Sequence, residues 1–137
     1  MSLRGHCPCR NFELVWQTVD LSLVPRACQC EYCRGKGAAY VSKSGSAFTV
    51  QIHQPEMHNV VRHGSGTAMF HECGGCGAVV FVTAEIEGLT YGALNAACIN
   101  NTRGFGSPVT VDFSAQDAAD KVSRWQQNWC CPVTLTV

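Results

Sequence analysis

The chain has 137 residues, 46% of them hydrophobic and 15% charged, with ten Lys and Arg balanced by ten Asp and Glu. That length fits a single domain, 1–137, with enough apolar material for a core, and it excludes a disordered chain. A formal charge of zero leaves no cationic surplus for phosphate contacts, so no nucleic-acid partner is expected.

The stretch Met1 to His6 lacks the apolar run of a signal peptide, and the apolar run Ala78 to Val82 is far too short to cross a bilayer. No membrane association and a cytoplasmic location are therefore expected. In that reducing setting, dense cysteine implies metal or redox chemistry rather than disulfides.

In chain order, Phe12, Leu14 and Trp16 alternate with Glu13, Val15 and Gln17, which predicts a strand with one apolar face. Phe48, Val50 and Ile52 repeat the pattern. Ala78 to Val82 predicts a strand buried on both faces, and glycines punctuate the intervals between these runs. A helix is expected near the end, with Ser114 and Asp117 as a capping pair and Ala118, Val122, Trp125 and Trp129 as its apolar stripe. Val133, Leu135 and Val137 predict a last short strand. The whole reads as mostly β with a short C-terminal helix.

Seven of the ten cysteines fall in three clusters: Cys7-Pro8-Cys9, Cys28-Gln29-Cys30-Glu31-Tyr32-Cys33 and Cys73-Gly74-Gly75-Cys76-Gly77. Zinc takes thiolates at about 2.3 Å in a tetrahedral cage, and a pair with two residues between its members chelates when the intervening backbone turns sharply. Gly74, Gly75 and Gly77 permit such a turn, so Cys73 and Cys76 read as half of a zinc knuckle. Cys7 and Cys9 would be too far apart on an ideal strand, and Pro8 supplies the constraint for a bend. Together the two pairs make a closed, structural four-thiolate site.

Cys28, Cys30 and Cys33 then form a second set of three. A helical turn starting near Cys30 would put Cys30 and Cys33 on one face, and three protein ligands with an open position are the pattern of a catalytic zinc. A closed second site completed by His53, His58, His63 or His71 is the alternative that the residues leave open. Disulfides are disfavoured by the odd count, and a redox dithiol by the absence of a thioredoxin-like strand–helix context. Cys98, Cys130 and Cys131 lack companions at ligand spacing and are expected as core or free thiols.

These clusters, with Gly5-His6 before the first and Arg34 after the second, resemble the glutathione-dependent formaldehyde-activating enzyme and centromere protein V family in order and separation. The resemblance runs from about Gly5 to the tryptophan-bearing tail. It implies a β-tent fold of several small coiled antiparallel sheets stapled by zinc. It also implies a structural zinc on Cys7, Cys9, Cys73 and Cys76 and a catalytic zinc on Cys28, Cys30 and Cys33. The chain departs from the family pattern at Arg10, where glycine often stands, and at Glu72, where an aromatic is common. It departs again at Gly35-Lys36, where lysine directly after Arg34 is expected.

The activity implied is a carbon–sulfur lyase type of reaction, joining glutathione to formaldehyde or a related small aldehyde as an S-hydroxymethyl adduct. Glutathione carries two carboxylates, for which Arg34 is the first cationic candidate, with Lys36, Lys43, Arg62 and Arg103 behind it. His63 and His71 are the candidates for a general base. The rivals are a scaffold module of the same fold, which should carry a basic patch that this neutral chain lacks, and a zinc enzyme of the family with a different substrate.

Overall fold

In the computed structural model the described residues are 3–18, 23–28, 31–62, 68–100, 105–111 and 117–137, with backbone alone at Cys28, Glu31 and Val111. The first half contains β1 (Leu3–His6), β2 (Phe12–Trp16), β3 (Arg26–Cys28), α1 (Glu31–Lys36), β4 (Tyr40–Val41) and β5 (Phe48–Ile52). The second half contains β6 (His58–Val61), β7 (Met69–Cys73), β8 (Val79–Ile86), β9 (Leu89–Asn95), β10 (Val109–Val111), α2 (Ala118–Asn128) and β11 (Val133–Thr136). The strands form two sheets, β1-β2-β5-β11 and β10-β3-β4-β9-β8-β7-β6. Among the described residues no helix is long and apolar enough to cross a membrane.

The alternating patterns fall where the sequence puts them. Phe12, Leu14 and Trp16 are at most 1% exposed and face Phe48, Val50 and Ile52 across an antiparallel pairing. Trp16 satisfies its indole N–H by donating to Ser46 Oγ at 2.9 Å, as a buried tryptophan must. These side chains pack against Val80, Phe81 and Leu94 of the larger sheet to make one core. On the other side of that sheet Val79, Val82, Ala84 and Ile86 meet Trp125 and Cys33 in a second.

The sheets differ from the expected set of small antiparallel ones. Each contains a parallel pair, β11 beside β5 and β10 beside β3. Parallel neighbours need a long crossover, and the segments between these strands are long enough to supply it.

β8 runs further than the predicted core strand and is buried on both faces, as the apolar run requires. Its pairing with β7 shifts between His71 and Glu72, so that Val80 is the extra residue. This β-bulge turns Val80 and Phe81 to the same core and kinks the strands just before Cys73.

Asp117, rather than Ser114, caps α2: its carboxylate accepts from the Asp120 amide at 2.8 Å. Ser114 lies outside the described residues. Trp125 is buried, and Trp129, just past the last helical residue, stacks on it at 4.6 Å between ring centroids.

β1 is tied to the larger sheet by a bridge between Gly5 and Ile99 and by the Asn100 amide donating to Arg4 carbonyl at 2.8 Å. A Cβ at Gly5 would stand 1.9 Å from the Cys98 carbonyl oxygen. Gly5→Ala is therefore expected to cost more than about 2 kcal/mol in chemical denaturation. Gly35→Ala, in α1 with nothing within 4 Å of its Cβ position, should be neutral or add up to about 1 kcal/mol. Equal effects of the two substitutions would show that the close approach is not there.

Candidate metal centre

β1 ends at His6, and the chain turns at once. The Arg10 amide donates to Cys7 carbonyl at 2.9 Å, closing a tight turn over Pro8 and Cys9. The bend brings Cys7 Sγ and Cys9 Sγ to 3.7 Å, which a straight strand would not allow. Arg10 takes a φ of 65°, in the left-handed region that side chains other than glycine enter at a cost. Phe12 N then donates to Cys7 Sγ at 3.4 Å.

The second half comes from the β7–β8 connection. Gly77 N donates to Cys73 carbonyl at 2.7 Å, and Gly77 has the positive φ of 77° that ends the turn. Cys9 Sγ lies 3.4 Å from Cys73 Sγ, and the sulfurs of Cys7, Cys9, Cys73 and Cys76 all lie within 4.8 Å of one another. A zinc–sulfur bond of about 2.3 Å sets tetrahedral sulfurs roughly 3.8 Å apart, so the cluster has the size of a four-thiolate cage. None of Cys7, Cys9, Cys73 and Cys76 is in a disulfide.

Asn11 holds the two loops in register. Its Oδ1 accepts from Gln54 N at 2.6 Å, and its Nδ2 donates to Gln54 carbonyl at 3.2 Å and reaches Cys73 Sγ at 3.9 Å. Sequence reasoning missed this buried amide. An asparagine two residues after a cysteine pair was the available signal.

The four sulfurs are electrostatically unequal. Burial pushes the Cys7 thiol up to about 12, against the pull of the Phe12 amide. Burial raises Cys73 as well, but the amides of Cys76 and Gly75 and the Cys9 thiol outweigh it and bring Cys73 down to about 7. Four adjacent thiolates would repel one another, and a cation among them removes that conflict. The donor set, the spacing and the amide donors all fit a metal ion held by these four residues.

The middle cluster is described only in part. Cys33 sits in α1, 1% exposed, with its sulfur 3.6 Å from the Tyr40 hydroxyl. Cys28 is the last residue of β3, its side chain outside the described residues, as is the whole of Cys30. Arg34 is exposed on α1, and Arg103 and His63 lie outside the described residues. Cys98 and Cys130 are buried core thiols and Cys131 is half-buried.

Lys36 and Glu72 are partners. Lys36 Nζ lies 3.6 Å from Glu72 and donates to the Gly77 carbonyl at 3.1 Å, and the Tyr32 hydroxyl also donates to Glu72. Lys36 thus ties α1 to the loop of Cys73 and Cys76.

His71, a candidate base, is a core residue. It stacks on Phe81 at 4.1 Å, and its ring nitrogens are hydrogen-bonded to His58 and Thr83, each at 2.8 Å. Burial, with the nearby His58, lowers it to about 3 and keeps it neutral. His53 is exposed beside Glu13.

No protein-family model matches the chain, and no curated protein does. Among solved structures, a Rhodobacter sphaeroides protein known from its crystal structure is similar over 77% of this chain and 99% of its own, at a TM-score of 0.59 and 20% identity. That likeness is one of fold alone.

The turn at Arg10 yields a direct test. Arg10→Gly relieves the left-handed strain and should raise stability by about 0.5–1 kcal/mol in thermal or chemical unfolding. A loss of stability would show that the Arg10 side chain contributes more than its backbone costs.

Proposed function

We propose that this chain is a zinc-dependent enzyme of the carbon–sulfur lyase type, with the β-tent fold that its cysteine clusters resemble. It adds a thiol, glutathione, to formaldehyde or a related small aldehyde. The observation that carries the reading is the grouping of sulfurs. Cys7, Cys9, Cys73 and Cys76 converge from loops far apart in the chain, and Cys33 stands in a different core. The set of four is the one the resemblance implies, and Cys33, the one member of the second set with a described side chain, stands apart from it.

In this reading Cys7, Cys9, Cys73 and Cys76 hold a structural zinc, and Cys28, Cys30 and Cys33 hold the catalytic one. Bound there, zinc would supply a soft cation that keeps a thiol ionised at neutral pH, where a free thiol of pKa about 8.5 is mostly protonated. The reaction itself forms one carbon–sulfur bond. The sulfur pair goes to the carbonyl carbon, the π pair of the carbonyl goes to oxygen, and the proton lost by the thiol ends on that oxygen. Nothing is oxidised.

The chain's own residues would do two things. Tyr40 places a neutral hydroxyl beside Cys33, a donor suited to the oxygen on which charge develops. Burial of Cys33 and its neighbours Phe70 and Trp125 keeps water from that side.

The test begins with elemental analysis of the purified protein, which should return two zinc ions per chain. Cys30→Ser should lose one and stay folded. Cys76→Ser should lose structure, because metal binding and folding are coupled at a closed site. Exchange between glutathione, formaldehyde and their adduct, followed by NMR, should run faster with wild-type protein than without it and fall to the uncatalysed rate with Cys30→Ser. Identical behaviour of the two variants would overturn the division of roles.

A further inference from the structure

The four-sulfur cage has one open side. Cys7 and Cys73 have no exposed surface and Cys76 is half-buried, whereas Cys9 is exposed. The asymmetry follows from the first turn. β1 delivers Cys7 into the main core, and the tight turn over Pro8 carries Cys9 outward, with Pro8 and Arg10 exposed on either side of it.

Gly75 keeps that side bare. A Cβ there would stand 3.5 Å from Cys9 Sγ and 3.6 Å from Cys73 Sγ, both ordinary contact distances. Gly75 is exposed, and unlike Gly77 it does not take a positive φ. A side chain therefore fits at this position and would cover both sulfurs. Glycine leaves the approach to the pair open.

The same pair is set for sulfur–sulfur chemistry. Cys9 Sγ lies 3.4 Å from Cys73 Sγ and 3.7 Å from Cys7 Sγ. Cys7 and Cys9 have only Pro8 between them, so a bond joining them would close a small ring around a residue of fixed φ. Cys73 comes from the β7–β8 turn and is free of that restriction.

A metal-bound thiol is deprotonated outright, and the thiolate is the form that peroxides oxidise. Four thiolates outweigh the two positive charges of a zinc ion, so electron density stays on sulfur. Exposure then selects which sulfur reacts. In this cage it selects Cys9.

We infer that Cys9 is an oxidation site for small peroxides, and that its product, a Cys9–Cys73 disulfide, expels the metal. The inference rests on the four-cysteine zinc of the proposed function and not on the thiol–aldehyde chemistry. In the first step a Cys9 sulfur pair forms an S–O bond to one peroxide oxygen. The O–O bond breaks, and the departing alkoxide or hydroxide takes a proton from water. Cys9 is then a sulfenic acid. In the second step the Cys73 sulfur attacks the Cys9 sulfur, the S–S bond forms, the S–O bond breaks, and the hydroxide that leaves is protonated to water. The two sulfurs together lose two electrons, and the peroxide gains them. Cys7 and Cys76 remain, too few to hold zinc, and the tie between the two turns is lost.

The test takes the purified zinc protein, with hydrogen peroxide as the probe and a chromogenic chelator to read released zinc. Peroxide should release zinc in step with a disulfide that peptide mass mapping, after alkylation without reduction, places between Cys9 and Cys73. Cys9→His keeps a metal ligand that cannot enter a disulfide, and should retain one more zinc ion than wild type under the same treatment. Gly75→Ala keeps all four sulfurs and covers the reacting pair, and should slow both disulfide formation and zinc release about threefold. It also serves if Cys9→His does not fold.

Equal zinc content in wild type and Cys76→Ser would show that the four cysteines hold no ion, and would overturn the site and this inference together. Zinc retained by wild type under peroxide, a disulfide that joins other cysteines, or release from Gly75→Ala at the wild-type rate would leave the site standing and overturn the oxidation step.

Discussion

Four sulfur atoms within 4.8 Å of one another are the constraint to which the rest of the molecule answers. Thiols so close cannot all ionise in each other's company, and Cys7 and Cys73 have no exposed surface through which water could relieve them. A metal ion held there would resolve the conflict and would join the β1–β2 turn to the β7–β8 turn. The surrounding backbone is arranged for that junction. The bulge at Val80 re-aims the end of β7, Asn11 pins the first turn to Gln54, and amides of Phe12, Gly75 and Cys76 point at sulfur. Each donor lowers the cost of holding thiolate at a core edge.

The same loop is coupled to the middle cysteine cluster through ordinary side chains. Glu72 precedes Cys73 and receives Tyr32 and Lys36 from α1, the helix that carries Cys33. Lys36 also caps the Gly77 carbonyl at the far end of the knuckle. Order in the four-cysteine loop therefore constrains the position of α1. Glu72 and Lys36 offset each other's charge across the two elements.

Much of this was readable in the sequence where a local rule governs. The spacing of Cys73 and Cys76 within glycines, the bend forced at Cys7-Pro8-Cys9 and the period-two faces of β2 and β5 are all statements about nearby residues. Tertiary consequences were not readable. Nothing local announces that β11 runs parallel to β5, that Val80 is a bulge residue or that Asp117 rather than Ser114 caps α2. Arg10 was marked as an oddity, but its meaning is a backbone angle that the sequence does not state.

Cys7 and Cys73 are packed in the same apolar cluster as Phe12 and Phe81. A metal held there would be bonded at the margin of the main core, with the exposed Cys9 on its solvent side. Removing such an ion would leave desolvated thiols in the core, where burial already pushes Cys7 up to about 12. Unpaired buried sulfur would then favour opening of both turns, and with them the Gly5–Ile99 bridge that joins the sheets. Cys33 is as deeply buried, but it lies in the second core, beside the Tyr40 hydroxyl. The four-cysteine cluster thus runs from core to surface, whereas Cys33 lies wholly within the other core.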